Sequence, residues 1–227
     1  MLTVSVSVLS RRALSLVISG GVALAALMMD TGAAEAKSRK KQHKRHYAGS
    51  SYTPPYAAMV VDANTGRVLH ANQEHALRHP ASVTKVMTLY MLFEQMEKGR
   101  FALDDEIEIS SHAASMAPSK LGLRPGSTIS VEDAIKAIVT KSANDIAAAV
   151  AEAVGGSEER FAQMMTAKAQ SLGMTRTFYA NASGLPDARQ VTTAHDLVIL
   201  GKSIQERFPK YYGYFSTHQF TFRGKTM

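Results

Sequence analysis

AAMVVDANTGRVLHANQEHALRHPASVTK, residues Ala57–Lys85, is the stretch whose reading decides the fold. Ala57 to Val61 is a β-prone run. Asn64-Thr65-Gly66 supplies turn chemistry, and Arg67 to Ala71 returns, so the spacing predicts a hairpin. Pro80-Ala81-Ser82 then opens a helix that runs to about Lys98, with Gly99 as its stop. Val86, Leu89, Tyr90, Phe93 and Met96 fall three or four apart along it, and Met87 and Met91 widen the stripe. A helix apolar over most of its surface belongs deep in a core.

Helices dominate the chain beyond Gly99. Ser130 with Asp133 caps a helix over 131–141, and an alanine-rich helix runs from Asn144 to Val154, ending at Gly155-Gly156. Ser157 opens a third that stops at Gly173, and Thr193 with Asp196 opens a fourth. Phe220 and Phe222 alternate with Thr217, Gln219 and Thr221, which reads as a strand. The methionines at 87, 91, 96, 164 and 165 sit at helical spacing and read as core filling. An early hairpin, a long helical middle and a late strand make a thin sheet for so much helix.

Composition bounds the chemistry. The 227 residues are 45% hydrophobic and 20% charged, as in one globular domain with appendages. The absence of cysteine excludes thiol nucleophiles, cysteine-ligated metals and disulfides. The net charge of +7 would suit a nucleic-acid binder if it were spread over the domain. It is not: six Lys/Arg crowd into Lys37–His46 (KSRKKQHKRH), and residues 47–227 are left at +1.

The N-terminal quarter explains that placement. Arg11-Arg12, an apolar run from Ala13 to Met29, and Ala34-Glu35-Ala36 describe a secretory leader over 1–36, with cleavage expected after Ala36. An uncleaved anchor is the rival reading, but the run is short for a span. Residues 37–55 read as a basic linker closed by Pro54-Pro55, and 56–227 as the domain. Outside the cytoplasm, without interleaved aromatic residues, the basic run is not a nucleic-acid platform. It reads as a solvated tether, or as a contact for anionic lipid or wall polymer.

Ser82-Val83-Thr84-Lys85 puts a hydroxyl at the start of the buried helix and an amine one turn on, on the same face. A serine needs a neighbouring base to become a nucleophile. A lysine serves only when neutral, which burial promotes. The pattern alone is weak, since Ser38 to Lys41 repeats it in the tail; position singles out Ser82. Ser142-Ala143-Asn144, the one S-x-N in the chain, falls at a junction between helices. Taken alone it reads as a cap. In a cleft, its hydroxyl could pass a proton and its amide could both donate and accept.

Taken in order, these segments resemble the serine D-alanyl-D-alanine carboxypeptidases, the low-molecular-mass penicillin-binding proteins. Pro80–Lys85 matches their P-A-S-x-T-K. Ser142–Asn144, 60 residues on, matches their S-x-N, and Asn181–Asp187 with Thr192–Leu197 resembles their N-x-x-G-L-P-D and T-A-x-D-L stretch. The resemblance implies an α/β (α+β) penicillin-binding fold, a helical cluster packed on an antiparallel sheet. It implies Ser82 as acyl nucleophile, Lys85 as its base, Ser142 as proton relay and Asn144 as substrate-orienting amide. The implied substrate is a peptidoglycan stem peptide ending in D-Ala-D-Ala, β-lactams would acylate Ser82, and no metal or organic cofactor is implied. The location would be the periplasm or the outer face of the cytoplasmic membrane.

One family element does not match. No Lys-[Ser/Thr]-Gly occurs, and Lys225-Thr226-Met227 is a near miss. The domain is therefore expected to continue past Met227, with the sheet incomplete here and the face of the Ser82 helix short of its covering strands. The alternatives are a D,D-endopeptidase of the same family, or an inactive truncated wall-binding pseudoenzyme. His75 and His79 lack the glutamate of a zinc helix, His195 reads as a surface residue, and Asp104–Glu108 lacks the oxygen ladder of a calcium loop.

Overall fold

In the computed structural model, which describes residues 55–227, the chain enters through an antiparallel hairpin, β1 (Ala58–Val61) and β2 (Val68–Asn72). The leader over 1–36, and the basic linker over 37–55 except Pro55, lie outside the described residues. Asp62 closes the turn. Its Oδ1 accepts from the Asn64 and Thr65 amides and from the Thr65 hydroxyl, and Gly66 takes the positive φ that the reversal requires. Pairing shifts by a bulge between Val60 and Val61.

The expected helix from Pro80 is two elements. A 3-10 turn, η1 (Ala81–Val83), precedes α1 (Thr84–Glu97), and Ser82 is exposed on that turn rather than sunk with the helix. Beyond it, α1 is buried along almost its whole length. Its apolar residues pack against α4 (Asn144–Gly155), α5 (Glu158–Ser171) and α6 (Ala194–Arg207). The alanines of α4, from Ala147 to Ala151, let several helices approach one backbone. Helix α3 (Val131–Lys141) and the short α2 (Ser111–Ser115) complete the cluster around it. Three caps read from the sequence are in place: Ser130, Ser157 and Thr193 each accept from the amide three residues on.

Two features depart from expectation. Residues 106–108 and 128–130 form a small ladder, β3 (Glu106–Glu108) and β4 (Thr128–Ser130), which pairs Ile107 with Ile129 in the core. The acidic run thus carries a strand whose central residue points inward. The face of α1 is also not left bare. After α6, the chain turns through α7 (Pro209–Tyr212) and η2 (Gly213–Ser216), where Phe208 and Tyr211 close on Phe93. The large apolar side chains left open among the described residues are Val68 and Leu69 on the hairpin, each half exposed, together with Tyr56, Leu77 and Phe178. The chain's last described segment is a hairpin, β5 (Thr221–Phe222) with β6 (Lys225–Thr226). The described strands form three separate two-stranded sheets.

Candidate active site

The site forms where η1, the α3–α4 junction and the loop 180–185 meet. Ser82 is presented on a turn begun by Ala81, which holds a positive φ of 46°. A non-glycine residue there is strained, and it is held by what packs on it. Gly184, at φ 83°, lies so close that an added Cβ would overlap the Ala81 carbonyl oxygen. Only glycine permits that approach.

Lys85 is buried behind Ser82, one turn along. Its Nζ lies 3.5 Å from Ser82 Oγ, donates to Asn144 Oδ1 at 2.7 Å, and donates to the Ser183 carbonyl at 2.5 Å. No carboxylate is among these partners. Burial pushes the amine down to about 8, well below an ordinary lysine. A neutral amine has two N–H groups and one lone pair. In the neutral form, with both N–H groups taken by Asn144 and Ser183, the lone pair is what the amine can offer the serine hydroxyl.

Asn144 is fixed by its own contacts. Its Nδ2 donates to the Ala117 carbonyl and its backbone N–H donates to the Ser119 carbonyl, so the orientation of the amide follows from the network. The loop that carries those carbonyls is held by Asp145, which is fully buried and accepts from the Leu121 and Gly122 amides. Ser142 caps α3 in the left-handed conformation, and its buried hydroxyl has no hydrogen-bond partner among the described residues. It lines a cleft of about 240 Å³ with Ser82, Ser119, Asn144 and Leu185. The cap itself is made by the Ser142 backbone N–H, which donates to the Ala137 and Ile138 carbonyls, so the hydroxyl is not used by it.

The structure thus brings together the four residues singled out from sequence, Ser82, Lys85, Ser142 and Asn144. It adds groups that sequence reading did not single out. The Ser183 carbonyl is a main-chain acceptor and carries no residue-type signal. Thr88 donates to the Ala182 carbonyl at 2.7 Å, and Gln190 accepts from the Ala180 and Asn181 amides while donating to Thr84. The Asn181 side chain accepts from the Gly184 amide, which gives that residue of the N-x-x-G stretch a structural reason. His195 is part-exposed and its ring lies tilted against His75, at 4.8 Å between centroids, away from the cleft. Lys225 and Thr226 are also elsewhere: their hairpin sits where Arg223 reaches the Thr128 carbonyl.

A helical cluster that presents a serine, a buried amine one turn on, and an S-x-N junction over one cleft defines the penicillin-binding fold. The chain belongs to the D-alanyl-D-alanine carboxypeptidase family, peptidase S11, whose profile matches residues 47–227. It is similar to the D-alanyl-D-alanine carboxypeptidase DacF of Bacillus subtilis, 36% identical over 65% of this chain and 38% of the relative. Among solved structures it resembles the D-alanyl-D-alanine carboxypeptidase DacD of Francisella tularensis. There the identity is 34% and the TM-score 0.69, over 72% of this chain and 40% of that one. It also resembles penicillin-binding protein D2 of Listeria monocytogenes in its cefotaxime-bound form, with 26% identity and a TM-score of 0.66, over 75% and 70% of the two chains. The chain spans less than half the length of DacF and DacD.

Proposed function

We propose that the protein is a serine-type D-Ala-D-Ala carboxypeptidase acting on peptidoglycan stem peptides through an acyl-enzyme at Ser82. The observation that carries this is the Lys85 amine: buried, pushed down to about 8, its donors taken by Asn144 and Ser183, its free side toward the Ser82 hydroxyl. Lys85 takes the Ser82 proton as Oγ attacks the carbonyl carbon of the penultimate D-alanine. The tetrahedral intermediate collapses, the peptide C–N bond breaks, and the terminal D-alanine leaves with a proton passed through the Ser142 hydroxyl. Water then attacks the ester, Ser82 regains its proton, and the shortened peptide departs. Asn144 orients the substrate while holding Lys85. A β-lactam carbonyl enters by the same first step and stays on Ser82 as an ester.

The fold also serves the D,D-endopeptidases, so substrate decides between them. The purified protein is expected to release D-alanine from a linear pentapeptide in preference to cutting a cross-linked dimer, and to bind one fluorescent penicillin per chain. Replacing Ser82 by alanine should abolish both. Turnover of the dimer alone would favour the endopeptidase, and absence of labelling would favour a non-catalytic wall-binding domain. The leader over 1–36 supports export, with a mature chain starting at Lys37. The run Lys37–His46 would touch anionic lipid or wall polymer, an interaction that should weaken as salt rises. Intact mass of the envelope form and salt-dependent sedimentation with anionic vesicles test these two points.

A further inference from the structure

Glu158, the first residue of α5, is a buried carboxylate with both oxygens engaged. Oε2 lies 2.7 Å from His112 Nε2 on α2, and Oε1 accepts from the Ala182 amide at 3.0 Å. An acid at a helix start suits the helix dipole, but that role asks only for a place near the first turn. Burying the charge instead requires strong partners. Here the partners lie in the two segments that build the site. The Ala182 carbonyl accepts from Thr88, and the next carbonyl, of Ser183, holds Lys85. The chain leaving α2 supplies the Ala117 and Ser119 carbonyls that hold Asn144.

We propose that Glu158 is a positioning residue for acylation: by binding Ala182 with one oxygen and His112 with the other, it fixes the Ser183 carbonyl against the Lys85 amine, and its charge lets it keep both partners when His112 is protonated. The inference rests on the acyl-serine reading above. The groups facing His112 are Glu158 and Glu159 of α5 and Glu152 of α4. The hydrogen bond that His112 donates to Glu158 leads the causes that raise it above an ordinary histidine.

An amide at 158 separates charge from shape. Glu158→Gln can accept from Ala182 and donate to a neutral His112. Against a protonated His112 it must give up one bond, because both facing groups are then donors. The experiment measures the rate constant and end-point stoichiometry of acylation by a fluorescent penicillin on the intact protein, across the histidine range. Glu158→Leu should acylate up to about 100-fold more slowly at every pH, as expected for a catalytic group displaced by an ångström, with the labelled fraction preserved. Glu158→Gln should stay close to wild type at high pH and fall toward the leucine variant below about pH 6.5. Adding His112→Phe should remove that fall. A labelled wild type with a pH-independent glutamine-to-wild-type ratio overturns this inference alone. An unlabelled wild type overturns the acyl-serine reading and the inference with it. Should Glu158→Leu fail to fold, seen as a lost labelled fraction, the glutamine series decides.

Discussion

The Ala81 carbonyl oxygen lies where a side chain on Gly184 would have to go, so that even a single added carbon would overlap it. This contact joins the turn that presents Ser82 to the loop that presents the Ser183 carbonyl. It therefore couples Ser82 to the groups that hold Lys85.

Gly184→Ala should be costly for that reason. Positive φ at an alanine adds about 1–3 kcal/mol of strain, and the clash must push the two segments apart. A drop in melting temperature is expected together with slower penicillin acylation, read by calorimetry and by labelling kinetics. Gly99→Ala, at the far end of α1 from Ser82, is the comparison. It shares a positive φ, but nothing lies within 4 Å of its added carbon, so it should lose stability without that loss of rate.

Lys85 predicts the pH dependence. As base it acts only when neutral, so the acylation rate should rise with pH up to about 8 and level off above it. Stability follows a matching rule. The folded state releases the Lys85 proton near 8, and the unfolded chain holds it to about 10.4. Over that interval the unfolded state binds more protons, so this residue makes stability rise with pH. Urea midpoints taken across it should show the rise in wild type and a flatter trend in Lys85→Met.

Asp145 should be a stability residue with a catalytic consequence. Its carboxylate satisfies the Leu121 and Gly122 amides, and its own residue is fully buried. Asp145→Ala leaves those donors short of an acceptor, at about 1–3 kcal/mol for each that stays dry. The loop should loosen, and with it the carbonyls that orient Asn144. Urea unfolding and the labelling rate should fall together.

Ser142 should show the reverse pattern. Its buried hydroxyl has no partner among the described residues, so Ser142→Ala removes a group that contributes no hydrogen bond there. Stability is expected to hold or rise slightly, while acylation falls by roughly 10²–10⁴ through loss of proton transfer. If the midpoint drops by a full capping energy and the rate does not change, the hydroxyl is a cap and not a relay.

Much of this was legible in the chain because the physics is local. The hairpin turn, the three serine and threonine caps, the methionine stripes and the four residues Ser82, Lys85, Ser142 and Asn144 are all set by residue type at short spacing. Local rules did not show that α1 is already closed over by Phe208 and Tyr211, because that depends on where α6 ends in space. Nor did they show the β3–β4 ladder, whose strands are too short to display a period and are recognised only by pairing.

The sequence by itself determined which side chains could do chemistry and on which elements they ride. Only the tertiary structure decided that the chemistry is assembled. The acceptors that hold Lys85 lie 59 and 98 positions away, and one of them is a main-chain carbonyl that any residue could supply. Burial of that amine, which pushes it down to about 8, is a property of the packed core. Spacing along the chain does not encode it.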